Sequence, residues 1–260
     1  MTWSFEKIKH TVFNRNPLDS TDVELRFHPI VRVAQRPSDI ALFQDKVRDM
    51  FPKYRQNNVR GVSFAADKGS MTVQDEIEHV FSDVLNRNSL VLNQNTLRAS
   101  SQDHQNRNEL ISQFNKGLVA AQNVFGGINA FRLGVRYVNI INKTEISKDL
   151  GVETLEWEDL ISGEFLRMPH EINDKTNTNF MMEIGSNLQN GDGELTLRYG
   201  LIQNHPQLPD HFRFDIDRYV QKDDGLSINT TLDTINEFTD DIYSLFNTVM
   251  ADKLKQWMEQ

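Results

Sequence analysis

A stripe of apolar residues near the end of the chain restricts the possible folds more than any other feature of the sequence. The stripe includes Leu232, Phe238, Phe246 and Trp257, and its members recur every three or four residues. This spacing predicts an amphipathic helix over about 231–258. A helix with so wide an apolar face is stable in water only when that face is buried, so it requires a sheet or a partner protein to pack against.

Alternation of apolar and polar residues predicts strands in both halves of the 260-residue chain. In the segment 23–27 the apolar side chains would lie on one face and Glu24 and Arg26 on the other. Residues 30–33 are expected to continue this strand beyond Pro29. The further strands predicted are 59–65, 70–73, 78–85, 89–92, 95–100, 131–141, 180–184, 194–202 and 212–220.

Helical spacing predicts two helices before the C-terminal one. Ser38 is the expected N-cap of the first, which Pro52 ends. Asn106 or Asn108 caps the second, which ends at Gly126. Hairpin-linked strands covered by helices indicate an α+β fold of mostly antiparallel sheets, and two related α/β-sandwich halves are one arrangement that fits.

The expected organisation has four parts. An N-terminal arm covers 1–16, and an N-terminal α+β half covers 17–141. A loop-rich connection with a short helix near Trp157 covers 142–179. A C-terminal α+β half with the long helix covers 180–260.

The composition excludes several classes of protein. The chain contains no cysteine, so it can form neither a disulfide, nor a cysteine-ligated zinc site, nor a thiol nucleophile. Its mean hydropathy is −0.54 and it has no apolar run long enough to cross a bilayer. The first residues lack the basic and apolar regions of a signal peptide, so we expect a cytoplasmic protein that does not contact a membrane.

The net charge of −9 is unevenly distributed along the chain. Residues 1–130 contain 16 Lys and Arg against 14 Asp and Glu, whereas residues 131–260 contain 12 against 23. The acidic second half argues against a phosphate-binding track there, because nucleic-acid affinity depends on Lys and Arg. It suits a basic protein partner.

A candidate polar cluster combines two predicted strands. Its members are Arg132, Arg136, His211, Asp215 and Asp217. If the arginines are buried, they need carboxylate partners, and Asp215 or Asp217 on a neighbouring strand would supply them. The alternative for the arginines is a pair that binds phosphate.

The aspartates of this polar cluster also have a chemical interpretation. Asp215 and Asp217 project to the same side of their strand and could share a Mg²⁺ ion. Glu183 and Glu194 are candidates for the third ligand that such a site would need. A polar outer face of an antiparallel sheet is the structural alternative.

Residues 86–108 are rich in Asn, Gln and Arg, which contact phosphates and base edges in nucleic-acid complexes. Arg87, Arg98 and Arg107 are the candidate phosphate contacts. The segment has no Lys and no interleaved aromatic residue, so it matches no recognised nucleic-acid motif. Turns between strands are the alternative explanation for its Asn residues.

The remaining motifs assign no catalytic residue, no metal ligand and no cofactor. The seven His residues show none of the short spacings typical of metal sites. The sequence also lacks the nucleophile elbow of serine hydrolases and the Lys-containing loop that binds nucleotide phosphates.

Short motifs in a fixed order are similar to those of a known family. They are Pro29-Ile30-Val31, Met50-Phe51-Pro52 at a helix end, Leu-Asn-Gln-Asn at 92–95, Val135-Arg136-Tyr137-Val138-Asn139, and Phe214-Asp215-Ile216-Asp217 before the long helix. With these motifs, residues 17–258 resemble a functionally uncharacterised bacterial family of similar length whose members are distributed sporadically among genomes. That distribution resembles the distribution of mobile defence and toxin–antitoxin genes, and the resemblance supplies no catalytic residue.

Three functional hypotheses follow. The first is a non-enzymatic interaction or scaffold subunit of a bacterial multi-protein assembly for defence against phage or plasmids, with a protein partner from the same operon. The second is a nucleic-acid-binding protein that contacts DNA or RNA through 86–108. The third is a metal-dependent nuclease or phosphatase centred on Asp215 and Asp217. The apolar face of the last helix, the divided charge and the missing catalytic signature favour the first.

Overall fold

The computed structural model describes residues 6–65, 70–102, 104, 106–166, 179–188, 192–202 and 210–260, and it describes only the backbone of 60–65 and 70–75. The strands are β1 (Leu18–Phe27), β2 (Lys53–Ala65), β3 (Ser70–Ser82), β4 (Asn88–Leu92), β5 (Thr96–Ser101), β6 (Ala130–Asn142), β7 (Phe180–Asn187), β8 (Glu194–Ile202) and β9 (His211–Leu226). The helices are α1 (Val31–Gln35), α2 (Pro37–Val47), α3 (Arg107–Phe125), α4 (Lys143–Leu150), α5 (Trp157–Leu160), α6 (Thr231–Val249) and α7 (Asp252–Glu259). The predicted α+β class with antiparallel strands and a long C-terminal helix is confirmed.

Contacts divide the chain into two compact units, each assembled from separate stretches of sequence. Unit 1 contains residues 1–21, 135–220 and 234–260, and unit 2 contains residues 22–134 and 221–233. Strands β1, β6 and β9 contribute residues to both units. The short helix expected near Trp157 is α5, and it belongs to unit 1.

Unit 2 is a sheet with helices packed on it. Its strands follow the order β2-β3-β4-β5-β1, and the pairs β2–β3, β3–β4 and β4–β5 are antiparallel. Helix α3 packs on β4 and β5, and α2 packs on α3 and β3. The close approach of α3 depends on Gly117, because a Cβ there would lie 3.0 Å from Leu90 Cδ2. A Cβ at this position would therefore require the Leu90 side chain to shift by a few tenths of an ångström.

The burial pattern of β5 is that of a strand with one face covered by a helix. Leu97, Ala99 and Ser101 are buried under α3, whereas Thr96, Arg98 and Ser100 between them are only half-buried. The same alternation places Val23, Leu25 and Phe27 of β1 in the core. The period of two that predicted these strands therefore also predicts their polar face.

Residues 30–33 correct the sequence prediction. They were expected to extend β1, but Val31 begins helix α1, and Ile30 is its N-cap residue. Helix α2 starts one residue before the predicted cap at Ser38, with Arg36 as N-cap and Pro37 in the first helical position. Proline fits that position because it has no N–H to leave unpaired.

Unit 1 contains the strand order β6-β9-β8-β7, and β7–β8 and β8–β9 are antiparallel. Helix α6 covers the apolar side of β9. Phe214 of β9 lies 6.1 Å from Phe246 of α6, measured between ring centroids. The apolar stripe of the C-terminal helix therefore packs against a sheet of its own chain.

A buried ion pair joins β9 to α6. The side chain of Arg218 has no exposed surface, and its Nε donates a hydrogen bond of 3.1 Å to Asp241 Oδ2. The guanidinium carbon also lies 4.2 Å from the ring centroid of Phe238, in a cation–π contact. Arg218 is on the apolar side of β9, so a charged residue occupies a position where the alternation would place an apolar one.

The other donors of Arg218 hold the turn before β8. They donate to the backbone carbonyls of Asp192, Glu194 and Tyr219, at 2.7, 3.3 and 3.2 Å. Gly193 in this turn has φ of +94°, and a Cβ there would lie 2.2 Å from the carbonyl oxygen of Tyr219. Any other residue at 193 would therefore displace the turn from the guanidinium group.

The predicted C-terminal helix begins at Thr231 as expected but is interrupted before its end. Helix α6 ends at Val249, and α7 starts at Asp252. Between them, Met250 forms an antiparallel bridge with Ile161. Two hydrogen bonds flank it, from Ser162 N to Val249 O and from Ala251 N to Leu160 O, at 2.7 and 3.0 Å. The backbone groups that would continue the helix are used in this pairing, so the single helix over 231–258 is wrong.

The N-terminal segment lies along the last two helices within unit 1. Residues 6–17 contain no helix or strand. Ile8 N donates to Ser244 Oγ, and Arg15 N donates to the carbonyl oxygen of Met258. Arg15 also pairs with Asp149, which accepts a hydrogen bond from Trp257 Nε1. Polar contacts thus hold the segment in place.

The excess negative charge belongs entirely to unit 1. This unit contains 13 Lys and Arg against 22 Asp and Glu, whereas unit 2 contains 15 of each. The asymmetry along the sequence therefore persists in the folded units, with a difference of 9 charges between them. Separately, none of the described helices is both long and apolar enough to span a membrane.

Removing one partner of the buried ion pair should strongly destabilise the protein. Asp241→Ala leaves the Arg218 charge buried without a counter-ion, and we expect a loss of about 3 to 5 kcal/mol in the free energy of unfolding. Urea unfolding followed by circular dichroism measures it. Glu237→Ala is the control, because Glu237 lies one turn earlier on α6 and is 47 % exposed.

The double replacement Arg218→Met with Asp241→Leu should cost less than the sum of the two single replacements, because each single replacement leaves one buried charge unpaired and the double one leaves none. Additive losses would contradict this role for the pair.

The stability of the protein should fall on mild acidification because of His79. With a neutral ring, its Nε2–H donates to the carbonyl oxygen of Val33 and its Nδ1 accepts from the hydroxyl of Tyr54. Burial lowers the pKa of His79 below 6.5, and the bond to Val33 offsets this only in part. The unfolded chain therefore binds a proton first, and the free energy of unfolding decreases as pH falls below about 6.5.

Urea unfolding at pH 7.5 and 5.5 tests this pH dependence. The difference between the two conditions should shrink in His79→Gln. An unchanged difference in that variant would assign the pH dependence to another group.

Candidate binding site

Asp215 is the centre of the candidate site in unit 1. Its Oδ1 accepts a hydrogen bond of 2.8 Å from Arg136 Nε, and its Oδ2 accepts one of 2.6 Å from an Arg136 terminal nitrogen. Arg213 donates to the same Oδ2 at 3.1 Å. Arg136 thus pairs with Asp215, one of the two carboxylates suggested for it, in the bidentate geometry typical of strong arginine–carboxylate pairs.

We call the side chains of Arg136, Arg213 and Asp215 the Asp215 cluster. Two adjacent strands position them. Arg136 lies on β6, and β9 lies next to it in the strand order. Arg213 and Asp215 are two residues apart on β9, so they project to the same side. The opposite side of β9 carries Phe212 and Phe214 in the core.

The cluster has a buried carboxylate and an exposed rim. The side chain of Asp215 is 1 % exposed, whereas those of Arg136 and Arg213 are 40 % and 36 % exposed. Two guanidinium groups against one carboxylate leave a net charge of +1. The surface of the cluster is therefore cationic, although unit 1 as a whole is acidic.

The two arginines keep Asp215 ionised. Burial raises the pKa of Asp215, but the hydrogen bonds and charge of Arg136, followed by those of Arg213, outweigh it, so the pKa lies below its ordinary value. A carboxylate held in this state has no proton to donate near neutral pH, and its lowered pKa makes it a weaker base. Its role is to fix the positions of the two guanidinium groups.

A second arginine–carboxylate pair, formed by Arg198 and Glu183, borders the cluster. Arg198 of β8 is the register partner of Asp215, and Glu183 of β7 is the register partner of Arg198. Arg198 Nε donates to Glu183 Oε2 at 2.6 Å. Glu194, the other residue proposed as a metal ligand, accepts from the hydroxyl of Tyr219 at 2.6 Å.

The remaining β9 residues of the predicted polar cluster lie on the same side of the strand. His211 is buried at the start of β9, opposite Ile202. Asp217 is half-buried and opposite Thr196. Within the described parts of the chain there is no group of three or more His, Asp or Glu side chains placed to hold a metal ion. A metal site at Asp215 and Asp217 stays a prediction without a described ligand set.

Arg132 belongs to a different group, in unit 2. It donates to Glu24 Oε1 at 3.3 Å, a carboxylate other than the two that the sequence suggested. Arg26 donates to the same oxygen at 2.7 Å, and Arg98 lies 3.9 Å from Glu24 Oε2. Sequence reasoning placed Glu24 on a polar strand face but missed its role, because Arg132 is 108 positions away along the chain.

The three arginines proposed for nucleic-acid contact occupy different settings. Arg87 is exposed in the turn before β4, where its backbone N donates to Asp83 Oδ1. Arg98 is half-buried on β5, and Arg107 is the first residue of α3. Their use as phosphate contacts stays a prediction.

Turns and caps account for several Asn residues of 86–108. Asn86 has φ of +57°, a left-handed conformation that Asn tolerates better than most residues. Asn93 Oδ1 accepts from the backbone N of Asn95, and Asn106 Oδ1 accepts from the backbone N of Glu109 as the N-cap of α3. Residues 103 and 105 lie outside the described residues.

The arrangement as a whole is suited to binding an anion. Exposed guanidinium groups fixed by a carboxylate offer a preorganised surface for a carboxylate or phosphate oxygen.

In comparisons with known proteins, no family model matches this chain and no curated protein matches it. The likeness to the sporadic bacterial family stays a prediction.

The two arginines should affect the pKa of Asp215 unequally. Arg136 makes two hydrogen bonds to the carboxylate and Arg213 makes one, so Arg136→Gln should raise this pKa more than Arg213→Gln. Carboxyl-detected NMR titration of the wild type and both variants measures the effect. An equal or larger rise in Arg213→Gln would contradict the geometry.

Proposed function

We propose that this protein is a non-enzymatic interaction subunit of a bacterial multi-protein assembly, and that the Asp215 cluster binds an acidic side chain of its protein partner. The observation that carries the proposal is the burial of Asp215 beneath two exposed arginines. The only acid in the cluster is occupied as a structural counter-ion. The cluster is therefore equipped to hold an anion in place and has no group to transfer a proton.

The charge of unit 1 supports a protein partner over a nucleic acid. A unit with a net charge of −9 repels a polyphosphate chain at long range. It attracts a basic protein, and the Asp215 cluster then fixes the register of the complex through one acidic residue of that partner. A partner encoded in the same operon, in a cytoplasmic assembly, fits this proposal.

The proposed biological setting is defence against phage or plasmids. Its support is the similarity of the short motifs in 29–31, 135–139 and 214–217 to the sporadic bacterial family. That similarity supports the setting and assigns no reaction.

Co-purification from the source bacterium tests the proposal. A tagged wild-type chain should recover a stoichiometric partner, and the double variant Arg136→Gln with Arg213→Gln should recover about tenfold less. Quantitative mass spectrometry measures the ratio. Raising the salt concentration should slow association of the purified pair, because steering by charge is screened.

The matched control is Lys9→Gln with Lys148→Gln. It removes the same amount of charge from exposed positions of unit 1 outside the cluster. Equal loss of the partner in the control would attribute binding to net charge alone. Turnover of nucleic acid or nucleotide by the purified wild-type chain would overturn the non-enzymatic assignment.

A further inference from the structure

A polar groove of about 330 Å³ lies in unit 2. Strands β3, β4, β5 and β1 line it in that order, and Phe131 adds an aromatic surface. Glu76 and Glu78 come from β3, whereas Arg98 and Arg26 come from β5 and β1. Glu24 of β1 also lines it, paired with Arg26, so the groove has an acidic side on β3 and a side on β5 and β1 where two arginines outnumber one carboxylate.

Arg98 is incompletely paired in this groove. One of its terminal nitrogens lies 3.9 Å from Glu24 Oε2, which is too far for a hydrogen bond. Its Nε is buried and has no hydrogen-bond acceptor among the described residues. Glu24 Oε1 is already used, because it accepts hydrogen bonds from Arg26 and Arg132. An oxyanion in the groove would satisfy the buried donor.

Glu78, on the acidic side of the groove, is also incompletely paired. It is half-buried, and within the described chain it has no hydrogen-bond or ion-pair partner. Its neighbour Glu76 accepts a single hydrogen bond of 3.3 Å from Asn93 Nδ2. A half-buried carboxylate in this state favours a positively charged nitrogen.

The spacing of the strands sets the length of a ligand that could reach both sides. Strand β4 separates β3 from β5, so the two sides are about 10 Å apart at the backbone. The long side chains of Glu78 and Arg98 shorten this gap, and Val91 and Thr96 form the surface between them.

We propose that the groove binds a small zwitterion. Its carboxylate or phosphate group contacts Arg98 and Arg26, its ammonium or guanidinium group contacts Glu78 and Glu76, and its methylene groups lie over Val91. A ligand with one charge leaves the opposite side of the groove unmatched. This site goes beyond the proposed partner-binding function and is independent of it.

NMR-detected titration of the full chain with 6-aminohexanoate tests the proposal. Hexanoate and hexylamine are matched probes that each retain one of the two charges, and each should bind about tenfold more weakly than the zwitterion. 6-Aminohexyl phosphate, used in parallel, distinguishes a phosphate preference from a carboxylate preference. Saturable shifts confined to residues of β1, β3, β4 and β5 are the expected result.

Two variants separate the two ends of the ligand. Arg98→Gln should weaken 6-aminohexanoate and hexanoate but leave hexylamine unchanged, and Glu78→Gln should weaken 6-aminohexanoate and hexylamine but leave hexanoate unchanged. Arg48→Gln, on the exposed end of α2, is the control and should bind as the wild type does. Equal affinities for the three probes, equal binding by Arg98→Gln, or no binding of 6-aminohexanoate at millimolar concentration would each overturn the proposal.

Discussion

The arrangement of unit 1 depends above all on one charge that the fold places in its core. An apolar helix face can slide along a sheet by a turn and still bury a similar area, so hydrophobic packing alone fixes the position of α6 only weakly. Arg218 removes that freedom, because its charge is tolerated only where Asp241 and Phe238 meet it. The same guanidinium group also binds three carbonyls at the entry to β8. One side chain thus sets the register of a helix and the geometry of a turn.

Arginine–carboxylate pairing serves two purposes in this protein, and burial distinguishes them. Around Arg218 both charges are buried, so the pair is a structural constraint. Around Asp215 and Glu24 the carboxylate lies deeper than most of its arginines, so positive groups remain at the surface in fixed positions. The rigidity matters because an arginine that is already ordered loses less conformational entropy when it binds a ligand.

The sequence predicted the elements of the fold better than their ends and partners. Strand alternation and helix caps depend on residues close together in the chain, which is why β8 was predicted correctly and Asn106 was one of the two predicted caps. The strand predicted over 30–33 was wrong because its apolar residues also fit a short helix. They form α1, and α2 follows from Pro37. The interruption of the last helix at Met250 depends on a backbone pairing with a distant segment, which local spacing cannot show.

For the candidate site, too, the sequence indicated which residues are involved better than it indicated their partners. Arg136 and Asp215 stood out as charges on strands, and the structure brings them together. The partner of Arg132 could not be inferred, since which strands become neighbours depends on the topology of the whole chain. The interleaved units also bear on how the protein is made. Unit 2 includes residues 221–233 and unit 1 includes 234–260, so neither is complete until most of the chain has left the ribosome. Strand β6 in particular leaves the ribosome before its neighbour β9 and before helix α6, and nascent chains with uncovered apolar faces are the ones that chaperones bind.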